Sequence, residues 1–307
     1  MTSDVIGRRV TVRHRDGDGA RDVIGRVIGV AESISIEQRD GAIVAVEPSA
    51  IIVWRIVPDR PARSRPAHRV DAETLARITS RGWPAVESEP LGDWELRASG
   101  GFTGRANSAL VVGDPGAGIG SAIDHVTDFY RSRGLPPLAQ VIVGSPAEQT
   151  FLDHGWQPLH GARPGAIVQV ADLGKAAIDP EVDVATDLTD DWMSLYPRIE
   201  PTQVDAARQV LDGPRTVGFV SIGSPPVAIG RVVVTGEWAG LAAVEVSPGH
   251  RRQGLARRIV TTSLAWAAER GADKVYLQTM RDNHAALALY EPFGFTTHHE
   301  YRYLTPR

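Results

Sequence analysis

VEVSPGHRRQGLARR, residues 244–258, has the pattern of a strand, a tight basic turn and the start of a helix. Pro248 ends the apolar run because proline cannot donate a hydrogen bond to a strand partner. Small residues follow, among them Gly254, and apolar residues then recur at helical spacing. Such a turn directs several backbone N–H groups and the positive end of a helix towards one point. Arg251 and Arg252 add attraction, so the sequence predicts a phosphate-bearing ligand at the carboxyl end of this strand.

The composition limits the classes of protein to which the chain can belong. Its 307 residues exceed the usual size of one domain, and 42% of them are hydrophobic, which is enough for packed cores. The net charge of −4 disfavours a nucleic-acid partner. The absence of cysteine excludes disulfides, cysteine-ligated metals and a cysteine nucleophile. Since neither a transmembrane run nor the apolar core of a signal peptide is present, we expect a cytoplasmic chain without membrane contact.

Three segments follow one another along the chain. Residues 1–60 contain five short strand patterns separated by turn signals, which predicts a small SH3-like β-barrel. Residues 61–69 are rich in proline and charge and are interpreted as a linker. Helix and strand signals then alternate twice, over residues 70–173 and 180–307. The predicted fold is therefore mixed α/β, with the barrel followed by two α/β units, each built on a central mixed sheet.

The two α/β units show weak internal similarity. FLDHGW at 151–156 and LYEPFGF at 289–295 occupy the same place, at a helix end before a closing strand. GDPGAGIG at 113–120 lies where SPGHRRQG, residues 247–254, lies in the second unit. We interpret the pair as a duplication of one unit. Because the first copy of the turn carries no arginine, we expect it to be a structural turn.

The second unit resembles the GNAT superfamily of acetyl-CoA-dependent N-acetyltransferases over residues 182–304. The central signature of that family, Gln/Arg-x-x-Gly-x-Gly/Ala, is present as RRQGLA at 251–256. A second element, NHAALALY at 283–290, follows at the family's distance and is succeeded by Gly294 and Phe295. The resemblance implies acetyl-CoA as co-substrate, no metal, and a GNAT-like fold that is degenerate in the first unit.

The resemblance also implies roles for the matching residues. The backbone of Val244 and Val246 is expected to pair with the pantetheine arm, and the Val246 N–H is expected to receive the acetyl carbonyl. Tyr290 is expected to protonate the departing thiolate. Asn283 is expected to contact the cofactor and can also cap its helix. The expected cofactor-binding residues are Val244, Val246, Arg251, Arg252, Gln253, Gly254, Leu255, Ala256, Arg257 and Asn283.

Position 240 bears on the identity of the general base. Family members with a dedicated glutamate place it six residues before the position of Val246, and that position is Gly240 here. Our candidate is Glu245, although strand alternation turns its side chain away from those of its neighbours. A water relay without a single base is also open. The remaining candidates are Glu237, Glu200 and His284.

A glycine-rich polar segment and a pair of adjacent histidines are two further candidate sites. GGFTGRANSAL at 100–110 is expected to pack under the second unit or to line an acceptor cleft, with Arg105 and Asn107 as its residues of interest. His298 and His299 are adjacent on a predicted strand. We therefore expect them to point to opposite faces and to hold no metal.

The predicted reaction is direct acetyl transfer to a primary amine in a ternary complex, since no cysteine can carry an acetyl intermediate. The acceptor is a small-molecule amine or, as an alternative, a protein lysine or N-terminus, because SH3-like modules commonly dock partners. A non-catalytic acyl-CoA sensor is the other alternative. Tyr290 argues against a sensor, and the glycine at position 240 argues for one.

Overall fold

The structure, a computed structural model, describes residues 5–17, 19–57, 65–161, 163–174 and 176–307. These residues form two β-sheets. No helix in this described part is both long enough and apolar enough to cross a membrane.

The N-terminal sheet contains all five strands expected between residues 1 and 60. Their bounds are β1 (Arg9–Asp16), β2 (Gly19–Val30), β3 (Ile34–Glu37), β4 (Ile43–Val46) and β5 (Ile51–Ile56). The strands are antiparallel, in the order β4-β3-β2-β1-β5, around a small valine- and isoleucine-rich core. The edge strands β4 and β5 are not paired with each other within the described residues. The closed SH3-like barrel is therefore not found, because β5 keeps most of its apolar side chains exposed instead of closing over the core.

The remaining strands form a twelve-stranded mixed sheet. Their bounds are β6 (Glu87–Leu91), β7 (Trp94–Ala98), β8 (Ala109–Leu110), β9 (Ala139–Ile142), β10 (Trp156–Pro158), β11 (Gly165–Asp172), β12 (Asp183–Ala185), β13 (Val217–Ile222), β14 (Ala228–Thr235), β15 (Trp238–Val246), β16 (Lys274–Thr279) and β17 (Thr296–Pro306). The helices of the described residues are α1 (Ala72–Arg81), α2 (Ile119–Arg131), α3 (Pro146–Asp153), α4 (Asp190–Ser194), α5 (Val204–Asp212), α6 (Leu255–Glu269) and α7 (His284–Tyr290).

The two α/β units share this sheet by interleaving their last strands. The order is β12-β13-β14-β15-β16-β11-β17-β9-β8-β7-β6, and β10 pairs with β17. β11, the last strand of the first unit, lies between β16 and β17 of the second unit and is antiparallel to both. β17 in turn pairs with β9 of the first unit. The hydrogen-bond ladders of each unit therefore hold the other in place.

Two helices differ from the sequence expectation. The sequence predicts a helix over residues 188–199 that breaks near Pro197; α4 spans only Asp190–Ser194 of this range, in keeping with the disfavoured helical conformation before Pro197. The following residues, including Arg198, are left without regular structure. α6 was expected to begin at Arg251 and begins at Leu255, because Arg252 and Gly254 have left-handed backbones.

The predicted linker at 61–69 lies partly outside the described residues. Its described end forms a short 3-10 turn, Ala67–Arg69. The Ala67 N–H donates to the Asp172 carboxylate at 2.7 Å, which fixes this end of the segment beside β11.

β15 runs between two hydrophobic layers, which places the site. Val244 and Val246 pack with the cluster under α6. Ala242 and Ala243 pack with the cluster that contains Trp192 of α4, residues of α5 and Trp83 of the first unit. The C-terminal half of β15 thus borders both layers, one belonging to the second unit and one shared by both units.

Candidate active site

The site is a gap between two parallel strands. β15 and β16 pair only over Trp238–Leu241 and Lys274–Leu277 and then separate. Beyond this point their carboxyl ends border a cavity of about 650 Å³, closed by the turn after β15, the start of α6, and α7. A cavity of this volume suits a small-molecule ligand.

A β-bulge accompanies the separation of the strands. Ile229 of β14 faces Glu245, whereas Arg231 faces Ala242, so β15 carries one extra residue in this stretch. Ala243 adopts a left-handed φ of 52° within it. A bulge bends and twists its strand, and here the pairing with β16 ends at Leu241, directly before the bulge.

The gap exposes a backbone edge of β15. The Ser247 N–H donates to the Val227 carbonyl at 2.9 Å, across the pair with β14. Successive residues of an antiparallel strand direct their amides to alternate sides, so the Val246 N–H faces the gap. Arg251 Nε donates to the Val246 carbonyl at 3.1 Å and holds the following turn against the strand.

The basic turn forms a concavity of backbone amides at the start of α6. A 3-10 turn at Pro248–His250 leads into Arg252 and Gly254, whose φ values are 64° and 80°. A left-handed non-glycine residue costs about 1–3 kcal/mol and is found where a site requires that geometry. Alternating right- and left-handed residues aim successive N–H groups at one point, which suits an anion. The first turn of α6 carries no acidic residue, and Arg251, Arg252 and Arg257 line the cavity.

α7 supplies two side chains to the opposite wall. Asn283 caps the helix by accepting a hydrogen bond from the Ala286 N–H at 3.2 Å, and it also lines the cavity. Tyr290 lies in the last turn and is 8% exposed, with its ring centroid 5.6 Å from that of Phe295. Burial, with a smaller contribution from the charge of Glu245, raises the pKa of Tyr290 well above its usual value of about 10. Its hydroxyl is therefore protonated at neutral pH.

Glu245 is a half-buried carboxylate at the same cavity. Burial raises its pKa above the ordinary glutamate value, and the charges of Arg198, Arg251 and Arg163 oppose the shift. Since Glu245 alternates with Val244 and Val246, its side chain faces the layer shared by both units. Strand alternation turns the side chain of Glu245 away from those of Val244 and Val246. It still lines the cavity, because both faces of β15 border the gap.

Comparisons with known proteins identify the family. The model of the family described as "Probable histone acetyltransferase Rv0428c C-terminal" matches residues 71–304. The chain belongs to this acetyltransferase family. The protein named Probable histone acetyltransferase Rv0428c, of Mycobacterium tuberculosis, is 30% identical over 312 residues, which cover 97% of this chain and 95% of that protein. The Uncharacterized N-acetyltransferase YobR of Bacillus subtilis is 25% identical over 250 residues, which cover 77% of this chain and 99% of that protein.

Solved structures show the same fold. A GCN5-related N-acetyltransferase from Kribbella flavida superposes with a TM-score of 0.53 at 15% identity, covering 76% of this chain and 95% of its own. A tandem GNAT protein from the clavulanic acid biosynthesis pathway gives a TM-score of 0.52 at 17% identity, covering 76% of this chain and 87% of its own. The family match makes the protein an acyltransferase, and its mixed sheet has the fold of these GNAT structures.

Position 240 of the acetyltransferase has no room for the usual glutamate. A Cβ on Gly240 would lie 2.4 Å from the hydroxyl oxygen of Tyr276. Glu237 lies at the other end of β15, where it pairs with Lys274 at 2.8 Å and Arg39 at 3.4 Å. The two other base candidates, Glu200 and His284, do not line the cavity. Glu245 is the carboxylate that the described residues bring to it.

Most of the expected cofactor-binding residues of the acetyltransferase lie together. The cavity is lined by Val244, Val246, Arg251, Arg252, Gly254, Leu255, Ala256, Arg257 and Asn283. Gln253 is the exception, because its side chain turns back to donate to the Gly249 carbonyl at 3.4 Å. Their roles in binding stay predictions.

The sequence motifs missed several lining residues of the acetyltransferase. These are Tyr196 and Arg198 after α4, and Gln278 and Thr279 of β16. Arg105, which the sequence offered as a residue of a possible acceptor cleft, also lines the cavity. Asn107, noted with it, is 5% exposed and binds the backbone of its own loop through Ser99, Gly101, Phe102 and Thr103, which makes it structural. No periodicity could identify the others, because they come from irregular segments or from a strand end.

In the first unit, the turn at residues 113–120 donates backbone N–H groups to its own and neighbouring side chains. The Asp114 N–H donates to the Asp93 carboxylate at 3.0 Å, and the Gly116 N–H donates to the Asp114 carboxylate at 2.8 Å. Acidic side chains thus occupy two of the donors that an anion would need. This agrees with the interpretation of residues 113–120 as a structural turn.

The adjacent histidines of β17 do not point to opposite faces, so that expectation is wrong. A register shift opposite β11 inserts His298 as an extra residue, and its Nδ1 lies 2.8 Å from Nδ1 of His299. Burial lowers the pKa of His299 to about 4. His298 Nε2 is 2.8 Å from the Val70 carbonyl oxygen, which anchors the pair structurally. Within the described residues no cluster of three potential metal ligands occurs.

Proposed function

We propose that this acetyltransferase transfers the acetyl group of acetyl-CoA directly to a primary amine while both substrates are bound. One observation supports the proposal most strongly: the gap after Leu241 brings four chemical groups that acetyl transfer needs to one cavity. They are the amide concavity before α6, the gap-facing N–H of Val246, the half-buried carboxylate of Glu245 and the buried phenol of Tyr290.

The residues around the gap fit an acetyl-CoA donor. Its pyrophosphate would be held by the amides that follow Arg252, where hydrogen bonds to a charged acceptor are worth about 1.5–3 kcal/mol each. Arg251, Arg252 and Arg257 surround this concavity and add favourable charge. The exposed edge at Val244 and Val246 offers backbone groups along which a pantetheine amide can align as an added strand.

The chain's own residues supply the proton transfers. An amine with a pKa of about 10.4 is about one part in a thousand neutral at pH 7.4, so a proton acceptor is needed. Glu245 takes this proton, directly or through water. The amine nitrogen then bonds to the thioester carbon, and the Val246 N–H stabilises the oxyanion. As the carbon–sulfur bond breaks, Tyr290 gives its proton to the thiolate, and the nitrogen loses its second proton, which passes through solvent to restore the phenol.

The direct test is kinetic. Purified full-length protein is assayed for release of CoA thiol with a panel of amines, and the N-acetylated product is identified by its mass. Intersecting initial-velocity lines are expected for a ternary complex. Parallel lines would contradict direct transfer, and binding of acetyl-CoA without turnover of any amine would contradict the enzyme mechanism proposed here.

Glu245→Gln should remove the acidic limb of the pH profile of kcat/KM. The base works in its ionised form, and burial raises the pKa of Glu245, so the wild-type limb should lie above the ordinary glutamate value of about 4.5. Loss of a general base should lower the rate by about 10²–10⁴. A Glu237→Gln control, at the far end of β15, should keep the limb. If Glu245→Gln retains the wild-type limb and rate, Glu245 is not the base.

Gly254→Val should weaken acetyl-CoA binding by about tenfold or more, since a left-handed backbone disfavours a side chain by about 1–2 kcal/mol. A Cβ at Gly254 would meet no protein atom within 4 Å, so the effect arises from φ and from the ligand's approach. Gly249→Ala is the matched control, because its φ is not left-handed and its Cβ is also free of contacts. Calorimetric titration with CoA measures both variants. Equal affinities would refute the assignment of the concavity.

A protein lysine is the second candidate acceptor. The observation that favours it is the name of the relative from Mycobacterium tuberculosis, a probable histone acetyltransferase that matches nearly the whole chain. Lysine-containing basic peptides therefore belong in the amine panel.

A further inference from the structure

The cavity at the gap continues into a second space. This space has a volume of about 320 Å³ and is also lined by Arg105, Arg198, Gln278, Thr279 and Asn283 of the first cavity. None of the residues of the basic turn lines it. It therefore lies away from the basic turn, at the carboxyl end of β16, where Gln278 and Thr279 line it.

Three arginines line this second space. Arg105 comes from the loop after β7, Arg163 from the segment before β11, and Arg198 from the irregular stretch after α4. No aspartate or glutamate is among the described residues that line it. Arg105 is half-buried and Arg163 and Arg198 are exposed, and over the described parts of the chain no carboxylate lies within 4.0 Å of any of the three guanidinium groups.

Arg105 is held in position without a counter-ion. Its guanidinium carbon lies 4.1 Å from the centroid of the Trp83 ring, a cation–π contact that leaves the N–H donors available. Arg105 and Arg198 also line the first cavity together with Glu245, and the charges of Arg198 and Arg163 lower the pKa of that carboxyl against the effect of burial. An unneutralised positive cluster beside a half-buried carboxylate favours a ligand that brings its own negative group.

We propose that the acceptor is a small anionic amine, a primary amine that also carries a carboxylate or a phosphate. This inference rests on the proposed function. The guanidinium groups bind the anionic group, for which their planar forks are matched, and the amine then lies towards Glu245. A lysine in a basic peptide is disfavoured because it would bring positive charge to three unpaired arginines. The volume of the space also suits a small molecule more than a chain.

The first unit contributes side chains to the proposed acceptor site. Arg105 and Arg163 belong to the first unit and Arg198 to the second, so the positive cluster is complete only when both are present. The insertion of β11 between β16 and β17 fixes their relative position. The first unit thus contributes specificity although its own turn has lost the arginines of the second.

The test compares matched amines with the full chain and saturating acetyl-CoA. One pair is an amino acid and its carboxamide, and another is phosphoethanolamine and ethanolamine; a lysine-containing basic peptide is the third arm. The anionic member of at least one pair should have a kcat/KM about tenfold or more above its neutral partner. The pair that shows the larger ratio distinguishes a carboxylate from a phosphate.

Variants assign the effect to the arginines. Arg105→Gln and Arg198→Gln should each lower the ratio of kcat/KM for the anionic amine to kcat/KM for its neutral partner about tenfold or more. Arg198 is exposed, so its variant remains informative if Arg105→Gln fails to fold. Arg281→Gln is the control, since Arg281 pairs with Glu300 outside both cavities.

The outcomes are distinguishable. Equal or better turnover of neutral amines or of the basic peptide would overturn this inference and leave the acetyl-transfer proposal intact. An equal loss for anionic and neutral amines in both variants would also overturn it. Acetyl-CoA binding without turnover of any arm would overturn the transfer function, and the substrate class with it.

Discussion

Tyr290→Phe is expected to lower kcat by about 10²–10⁴ while acetyl-CoA binding stays unchanged. The substitution removes only the hydroxyl, and the ring can keep its packing against Phe295. Without the phenol, the departing thiolate must take its proton from water. The loss should appear as slower thiol release in single-turnover kinetics, with a wild-type dissociation constant for CoA.

The pH dependence provides a second readout for Tyr290. Because burial raises its pKa above about 10, the group stays protonated through the neutral range, and the wild-type kcat should show no loss from it below that pH. Leu287→Met, a volume-conserving change on α7 outside both cavities, is the control and should keep wild-type kcat. A Tyr290→Phe rate equal to wild type with all amines would exclude Tyr290 as the acid.

Arg97→Met should lower the free energy of unfolding by about 3–5 kcal/mol. Arg97 is 2% exposed, and its guanidinium donates to the Ser108 carbonyl and hydroxyl, the Ser80 hydroxyl and the Gln140 side chain at 2.8–3.1 Å. The Ser80 hydroxyl in turn donates to Glu95. Methionine fills part of the volume but leaves these polar groups buried without their donor, and that loss dominates.

The measurement is urea unfolding followed by tryptophan fluorescence. Arg131→Met serves as the matched control, because Arg131 is exposed on α2 and its loss leaves no buried group unpaired. The control should unfold near the wild-type midpoint. A wild-type midpoint for Arg97→Met would mean that the network around Arg97 contributes no net stability.

Local features of the fold could be predicted from the sequence because they depend on short-range rules. Asn283 and Tyr290 are seven residues apart, which is two helical turns. Asn283 caps α7 and Tyr290 ends it, and both side chains line the same wall of the cavity. α7 ends at Tyr290, two residues before Pro292, because the residue that precedes a proline disfavours the helical conformation. Alternating apolar residues and turn residues predicted the five N-terminal strands correctly. The predicted closure of their sheet into a barrel was wrong, because closure requires the side chains of β5 to be buried and most of them are exposed.

The sequence by itself determined the acetyltransferase family, the basic turn at residues 251–256 and the position of Tyr290 at the end of α7, since each depends on residues close together in the chain. Only the tertiary structure decided that β11 lies between β16 and β17, and that Arg105, Arg163 and Arg198 line one space that borders the gap. The physical reason is that strand pairing and burial join segments far apart in sequence. The burial that raises the pKa of Glu245 and the charges that face it exist only once those segments have met.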